Sequence, residues 1–276
     1  MRLPLAGAAV LLTVSLCSQP APREQVGPVE GGAFLMNDGW RLKPAGKQIP
    51  LDTLPLASAL SPDGKYLLVM NAGSNPPSVS VLDTAAAKEV GLTPVTDAWL
   101  GLALSPKGDR LYVGGGSQAA VFEFSFAAGR IAPTRTFPVV EPQKRTNRDF
   151  IGDVVLSPDG RLIYAAELYQ NSIVVINPQS GRVIDRFKTG RRPYRILFHP
   201  DGKSFFVSCW ADGMVLRHET ETGNVQSKFL LAPHPTDMIW VPGKPKPALE
   251  GETTPYVARI FVAASNTNSV RVLGVT

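Results

Sequence analysis

The sequence predicts an all-β protein built from repeated four-stranded antiparallel units, and three observations predict this class. Gly and Pro each occupy 25 of the 276 positions, a composition that favours turns and strands over long helices. Hydrophobic residues make up 44% of the chain and charged residues 18%, as in a folded domain with a sizeable core. One pattern also recurs four times, as LSPDGKYLLV, LSPKGDRLYV, LSPDGRLIYA and FHPDGKSFFV. Because internal repetition at a fixed period marks a repeated structural unit, this pattern decides the class.

The turn prolines set the period of the repeat. They are Pro62, Pro106, Pro158 and Pro200, with Pro242 in a degenerate fifth copy, so the spacings are 44, 52, 42 and 42 residues. In each copy one apolar stretch precedes the turn, two follow it, and a more polar stretch ends the unit. Four short antiparallel strands in such a length form a β-propeller blade. We predict four complete blades and a partial fifth over residues 53–276.

The turn chemistry accounts for the first connection in each blade. Ser or His begins the turn, Pro fixes φ at its second position, and Gly supplies the positive φ that leads into the next strand. The sequence therefore predicts tight hairpin turns at 61–64, 105–108, 157–160, 199–202 and 241–243.

The two ends of the repeat region carry incomplete units. WRLKPAG and KQIPLD, within residues 38–52, are predicted to be the third and fourth strands of a blade that lacks its first two. In propellers such N-terminal strands complete the last blade and close the ring. RIFVAAS and SVRVLGV are predicted as the second and third strands of the fifth unit. We expect a fragment of a seven-bladed ring, and a five-bladed ring closed by KQIPLD is the alternative.

The first 25 residues have the features of a signal peptide, followed by a propeller domain over 26–276. Arg2 supplies a positive charge and Leu3 to Leu16 form an apolar run too short for a stable membrane-spanning helix. We expect a periplasmic or secreted protein with no membrane span after cleavage. A lipid anchor at Cys17 is disfavoured because Leu16 stands where lipoprotein signals prefer a small residue.

Two insertions interrupt the repeat. EPQKRTNRDFIGD at 141–153 lengthens the connection into the third unit, and GKPKPALEGETTPYVA at 243–258 replaces the fifth turn. Both are expected to be surface loops.

The units resemble the YVTN-type, lactonase-like propeller repeat of extracytoplasmic bacterial proteins. The match is fullest in INPQSGRVIDRFKTGRRPYRILFHPDGKSFFVS. GWRLKPAGKQIPLDTLPLASALSPDG is similar to a subgroup in which a seven-bladed propeller precedes an alkaline-phosphatase-like phosphoesterase domain. The resemblance spans about residues 38–276. It implies that any hydrolytic metal site would belong to a C-terminal domain outside this chain.

Candidate site residues follow from aligning the repeats, since propellers bind ligands at the channel mouth. Five positions before each turn proline the units present Ala57, Gly101, Asp153, Arg195 and Asp237. Eight positions before it they present Leu54, Ala98, Phe150, Arg192 and His234. The candidate site comprises Trp99, Asp153, Arg192, Tyr194, Arg195, His234 and Asp237. These residues either bind a small polar or anionic ligand or one metal ion, or form paired charges and aromatic filler between blades.

Other chemistry finds little support in the sequence. The three histidines lack zinc-ligand spacing, no G-x-S-x-G motif occurs, and Cys209 is predicted to be a core residue. No catalytic residue, metal ligand or cofactor is predicted. Basic residues cluster near Arg148 and Arg192, but nucleic acid is disfavoured as a partner of an exported protein.

Two functions remain open from the sequence. The first is an exported, non-catalytic binding or interaction module whose partner is a small ligand, another protein or a C-terminal phosphoesterase domain. The second is a lactonase-like or other small-molecule hydrolase that acts at the channel mouth. The fold alone does not separate them, because propellers host many unrelated functions.

Overall fold

The computed structural model describes residues 24–243 and 256–275. The chain divides into two compact units, residues 1–48 and 49–276. The described part of the chain contains 22 β-strands and four short 3₁₀ turns, and it contains no α-helix. The signal peptide and Cys17 lie outside the described residues, as does most of the second insertion. In the described ranges no helix has the length and apolar character needed to cross a membrane.

The first unit contains one small antiparallel sheet. Its strands are β1 (Gly27–Val29), β2 (Ala33–Leu35) and β3 (Arg41–Leu42). WRLKPAG thus contributes the third strand of a sheet whose first two strands precede it in the chain. The structure has no strand between β3 and residue 55, although the sequence predicts one in KQIPLD. Pro44 and Pro50 lack the N–H that a strand donates to its neighbour, which disfavours pairing here.

The second unit consists of five consecutive antiparallel meanders, named blades 1 to 5. Blade 1 contains β4 to β7: Pro55–Leu60, Tyr66–Asn71, Ser78–Asp83 and Lys88–Pro94. Blade 2 contains β8 to β11: Leu102–Leu104, Arg110–Gly114, Ala120–Ala127 and Arg130–Pro138. Blade 3 contains β12 to β15: Ile151–Leu156, Ile163–Glu167, Ser172–Asn177 and Arg182–Lys188. Blade 4 contains β16 to β19: Pro193–Phe198, Ser204–Cys209, Met214–Glu219 and Val225–Leu230. Blade 5 contains β20 to β22: Pro235–Pro242, Ala258–Ala264 and Ser269–Val275.

The strand order confirms the predicted fold class. Four blades have four strands in simple up-and-down order, and blade 5 has three. The first strand of each blade lies next to the first strand of the following blade, from β4 to β20. These first strands are the inner strands, and the blades stack in chain order as in a propeller.

Four of the five predicted turns form as expected. The amides of Gly64, Gly108, Gly160 and Gly202 each donate to the carbonyl three residues earlier, at 2.7–2.9 Å. All four glycines have φ between 69° and 72°, which other residues rarely adopt. The fifth turn, at 241–243, does not form because β20 continues through Pro242 and the insertion follows.

Apolar clusters between neighbouring blades form the core. The largest group of aromatic rings lies between blades 3 and 4, where Tyr164, Phe187 and Phe205 pack together. The second strands of these blades, β13 and β17, are buried along their whole length. Outer strands such as β15 are mostly exposed. Complete burial of each large apolar side chain contributes about 1.5–3 kcal/mol, so stacking of blades is the main stabilising contact.

Blade 5 has one covered face and one exposed face. Met238, Ile260 and Val262 pack against blade 4. On the opposite face Ile239 and Val270 are 61% exposed and border an apolar cleft of about 320 Å³. An exposed apolar sheet face of this kind is prone to association with other surfaces.

Stability is expected to fall between pH 7 and pH 5.5 because of His218. Its Nδ1–H donates to the carbonyl of Gly223 at 2.8 Å, so Nε2 accepts from the Thr189 hydroxyl at 3.0 Å. Burial lowers the pKa of His218 below its ordinary value of 6.5. Below pH 6.5 His218 is therefore more fully protonated in the unfolded chain than in the folded chain. The free energy of unfolding then decreases as pH falls. Urea unfolding at a series of pH values measures this decrease. In His218→Asn the free energy of unfolding should change less with pH. An unchanged pH dependence in that variant would show that His218 is not the group responsible.

Candidate functional site

Three charged residues from consecutive blades meet at the predicted channel position. Arg195 on β16 donates from Nη1 to Oδ1 of Asp153 on β12 at 2.8 Å, and from Nε to Oδ1 of Asp237 on β20 at 3.0 Å. Asp153 is fully buried and also accepts the amide of Ile196 at 2.8 Å. The attraction of Asp153 raises the pKa of Arg195. This is the mutual charge pairing between blades that the sequence allowed as one alternative.

The same repeat position carries small residues in the first two blades. A Cβ atom at Gly101 would lie 2.9 Å from the amide nitrogen of Val154 and 3.1 Å from the carbonyl carbon of Asp153. Blade 2 therefore approaches blade 3 through bare backbone and has no room for a side chain. Ala57 of blade 1 instead borders a cleft of about 380 Å³ that Arg195 and Asp237 also line.

The predicted aromatic residues pack against one another. The ring of Trp99 lies edge-on to Tyr194, with centroids 5.0 Å apart, and to Phe150 at 5.9 Å. Burial raises the pKa of the Tyr194 hydroxyl. Trp99 and Tyr194 thus fill space between blades 2, 3 and 4, which is the packing role that the sequence left open for them.

Arg192 and His234 occupy equivalent and unusual backbone positions. Each has φ of 57° and is followed by a proline, as is Leu54 with φ of 52°. Residues before proline prefer extended backbone, so this left-handed conformation is strained and must be held by its surroundings. For Arg192 the surroundings include Asn171, whose Oδ1 accepts the Arg192 amide at 3.0 Å.

Arg192 borders a cleft of about 540 Å³ between blades 3 and 4, which we name the arginine cleft. It lies between the β13–β14 and β17–β18 hairpins, at the end of the blades where the chain enters the inner strands β12 and β16. It is lined by Asn147, Arg148, Tyr169, Asn171, Arg191, Arg192, Trp210 and Ala211. Three of the eight residues are arginines and none is acidic, so the cleft is positively charged.

The three arginines differ in their partners. Arg191 is bound to Asp212, with its amide and its Nε each 2.6 Å from a carboxylate oxygen. The guanidinium carbon of Arg192 lies 4.5 Å from the centre of the Tyr169 ring, in a cation–π contact. Within the residues that the structure describes, none of the ion pairs includes Arg148 or Arg192. Two positive charges thus remain available to an anion.

One repeat position changes the sign of its charge between blades. Nine residues before the turn proline, blades 2 and 3 have Asp97 and Asp149, whereas blade 4 has Arg191. Asp97 accepts the amide and hydroxyl of Ser117 at 2.7 and 2.6 Å, and so fastens the neighbouring hairpin. In blade 4 the charges are exchanged: the β17–β18 hairpin carries Asp212, and the loop before β16 carries its partner Arg191. The exchange places arginine instead of aspartate on the cleft wall.

Sequence reasoning predicted one residue of the arginine cleft and missed others. Arg192 was a candidate, and Arg148 and Arg191 belonged to a basic cluster without an assigned site. Tyr169, Asn171 and Trp210 were missed because the repeat alignment considered only the loops that enter the inner strands. The equivalent hairpins ELYQN and CWADG, at 167–171 and 209–213, carry an aromatic residue in both units and offered that signal.

His234 contacts Trp210 of the β17–β18 hairpin. Its ring stacks on Trp210 with centroids 3.9 Å apart. The Nδ1 atom of His234 is buried and has no hydrogen-bond partner among the described residues. The structure places the seven candidate residues in different surroundings. Arg192 lines the arginine cleft and His234 stacks on Trp210. Trp99, Asp153 and Tyr194 pack between blades, whereas Arg195 and the exposed Asp237 pair with each other at the edge of the 380 Å³ cleft.

The described residues offer neither a metal-binding cluster nor a reactive thiol. Within residues 24–243 and 256–275, no group of three or more His, Cys, Asp or Glu side chains is placed to hold a metal ion. Cys209 is fully buried, as predicted for a core residue, and burial raises its thiol pKa to about 12. A thiol with that pKa remains protonated at neutral pH and is a poor nucleophile.

The stacked four-stranded meanders, with inner strands entering at the face that carries the cleft, define a β-propeller protein. The chain belongs to the family described as "Lactonase, 7-bladed beta-propeller", whose model matches residues 57–240. A search of curated proteins gave no significant match.

Solved structures show the same fold at low sequence identity. Hydrazine synthase of Kuenenia stuttgartiensis is 20% identical, with a TM-score of 0.59 over 84% of this chain and 69% of that one. A functionally unknown protein of Desulfotomaculum acetoxidans DSM 771 is 17% identical, with a TM-score of 0.61 over 88% and 74%. A candidate 6-phosphogluconolactonase of Bacteroides uniformis ATCC 8492 is 20% identical, with a TM-score of 0.57 over 73% and 65%.

Proposed function

We propose that this chain is an exported, non-catalytic propeller module of the lactonase family that binds a small anionic ligand in the arginine cleft. The observation that carries the proposal is the cleft itself, in which Arg148 and Arg192 have no acidic partner among the described residues. Guanidinium groups bind phosphate and carboxylate through paired N–H donors, so these two anions are the matching ligand chemistry.

The cleft is also arranged in advance for an anion. The cation–π contact with Tyr169 and the hydrogen bond from the Arg192 backbone amide to the Asn171 side chain hold Arg192 at the cleft wall. The bond to Asp212 fixes Arg191 in the same way. Less side-chain freedom is then lost when a ligand binds, which favours affinity. Asn147 and Asn171 add amide groups that can donate to or accept from a polar ligand.

The lining of the cleft supports binding over turnover. Tyr169 is the one lining residue of a type that acts as general acid, general base or nucleophile, and the guanidinium of Arg192 lies over its ring. The candidate channel residues Asp153, Arg195 and Asp237 are engaged in ion pairs with one another. A group that remains in such a pair is not available to transfer a proton to a substrate.

Arg192→Ala is expected to weaken binding of inorganic phosphate at least tenfold, because it removes one of the two unpaired guanidinium groups. Isothermal titration calorimetry of the whole chain measures the change. Arg130→Ala is the matched control, since Arg130 is an exposed arginine on β11 of blade 2. The Arg130→Ala variant should bind phosphate with the same affinity as the unchanged protein. Equal affinities for all three proteins, or no phosphate binding by any, would overturn the proposal.

A lactonase-like hydrolase is the second candidate function. It is favoured by the family and by the fold shared with the candidate 6-phosphogluconolactonase. Metal-dependent turnover of a lactone by this chain, lost in Asp153→Asn, would support the hydrolase and reject the non-catalytic module. Lactone concentrations that fall no faster than in buffer would reject the hydrolase.

Export and a phosphoesterase partner form the remaining part of the proposal. The charged and apolar character of residues 1–25 supports export, and the resemblance of residues 39–64 to propeller–phosphoesterase proteins supports a partner domain of that class. Fractionation of cells that express the gene tests the first, and sequencing of the adjoining coding region tests the second. A cytoplasmic product, or a neighbouring region without phosphoesterase metal ligands, would reject the corresponding part.

A further inference from the structure

A second cleft lies on the other side of the β17–β18 hairpin from the arginine cleft. It has a volume of about 370 Å³, and its wall is mainly apolar. It is lined by Trp210, Ala211, Asp212, Gly213, Leu230, Leu231, Pro233 and His234. We name it the leucine cleft. Leu230 is 81% exposed, an unusually large exposure for a leucine with apolar neighbours.

The two clefts share a wall. Trp210 and Ala211 line both of them, so the clefts adjoin at the β17–β18 hairpin. The stacked His234 ring holds the indole of Trp210 in position between them. Ala211 has a small side chain, which leaves little to obstruct a ligand that crosses the hairpin.

The two sides of the shared wall suit different groups: the arginine cleft suits an anion, and the leucine cleft suits an apolar group. Asp212 is the only acidic residue in the lining of the leucine cleft, and both its carboxylate oxygens bind Arg191. The carboxylate is therefore neutralised by an arginine of the neighbouring cleft and does not repel an anion there. The leucine cleft then offers apolar surface without a free charge.

We propose that the ligand is a soluble single-chain amphiphile, with a phosphate or carboxylate head in the arginine cleft and an unbranched apolar chain across Trp210 in the leucine cleft. This inference rests on the proposed anion site and adds the chemical class of its ligand. Neighbouring sheets pack about 10 Å apart, which an octyl chain can span. Each methylene that is buried strengthens binding roughly fourfold, so a partly buried chain gives a measurable gain.

The test compares inorganic phosphate, ethyl phosphate and octyl phosphate by calorimetry, with octyl phosphate kept below its micelle concentration. We expect octyl phosphate to bind at least tenfold more tightly than ethyl phosphate. Leu230→Ser should reduce this difference at least threefold and leave the affinity for inorganic phosphate unchanged. The side chain of Leu230 is largely in solvent, so its replacement is not expected to affect folding. Leu92→Ser on β7, an exposed leucine of blade 1, is the matched control and should change neither affinity.

The outcomes separate this inference from the proposed function. If ethyl and octyl phosphate bind equally and both depend on Arg192, the anion site stands and the amphiphile is rejected. If no phosphate compound binds, both are rejected. Octyl phosphate that binds without any effect of Leu230→Ser rejects the leucine cleft as the site of the chain. Binding only to vesicles of anionic lipid, and not to monomeric octyl phosphate, also rejects a soluble amphiphile.

Discussion

Asp153→Ala is expected to lower the free energy of unfolding by about 3–5 kcal/mol, because it removes one partner of a buried ion pair. Arg195 would keep only Asp237, which is 66% exposed and screened by water. The amide of Ile196 would also lose its acceptor in a buried position. Urea unfolding followed by circular dichroism measures the change in stability.

Two further variants show whether the effect comes from burial. Asp237→Ala removes the exposed partner of the same arginine and should cost less than about 1 kcal/mol. Asp153→Asn keeps an oxygen that can accept from Ile196, and its cost should lie between those of the two alanine variants. Equal effects of Asp153→Ala and Asp237→Ala would contradict the view that the inner pair holds blades 3 and 4 together.

Phe205→Ala is expected to destabilise the protein by about 3–5 kcal/mol, the range for removal of a fully buried aromatic ring. The ring of Phe205 lies within 6.5 Å, centre to centre, of the rings of Tyr164, Phe187, Phe198 and His218. These neighbours come from both blades and are held by their own strands, so they cannot collapse into the space. The result would be a cavity in the interface between blades 3 and 4.

The matched control for Phe205 lies on the solvent side of blade 3. Ile184 on β15 is 54% exposed, and Ile184→Ala should change stability by less than about 1 kcal/mol. Thermal and urea unfolding of both variants make the comparison. A small effect of Phe205→Ala would mean that the contacts between blades 3 and 4 contribute less than their burial indicates.

Much of the fold could be predicted from one short pattern. The turn Ser-Pro-Asp-Gly has physical requirements at each position, and the glycines at positive φ meet them in four blades. The turn therefore fixed the start of β5, β9, β13 and β17, and the spacing then implied the remaining strands. The fifth turn and the strand at KQIPLD were predicted from the same pattern and do not form. The fifth copy keeps Pro242 but lacks the Ser and Asp of the other turns, and Pro44 and Pro50 disfavour strand pairing.

The site was less predictable because it depends on which charges find partners. Asp153, Arg195 and Asp237 were correctly placed near one another by the repeat alignment, but whether they face a ligand or one another is a matter of side-chain geometry. Arg191 and Arg192 are adjacent in sequence, yet one is bound to Asp212 and the other lies over a tyrosine ring. Nothing in the local sequence distinguishes those two environments.

The stacking of blades in chain order also determines how the molecule opens. Blades 3 and 4 each have a neighbouring blade on both sides, whereas the far face of blade 5 is exposed. β22 is mostly exposed and β13 is buried along its whole length, and weakly buried segments open before well-buried ones. Backbone amides of β22 should therefore exchange with solvent hydrogen far sooner than those of β13. The arginine cleft lies between two blades that each have a neighbouring blade on both sides, so its geometry should persist while β22 opens.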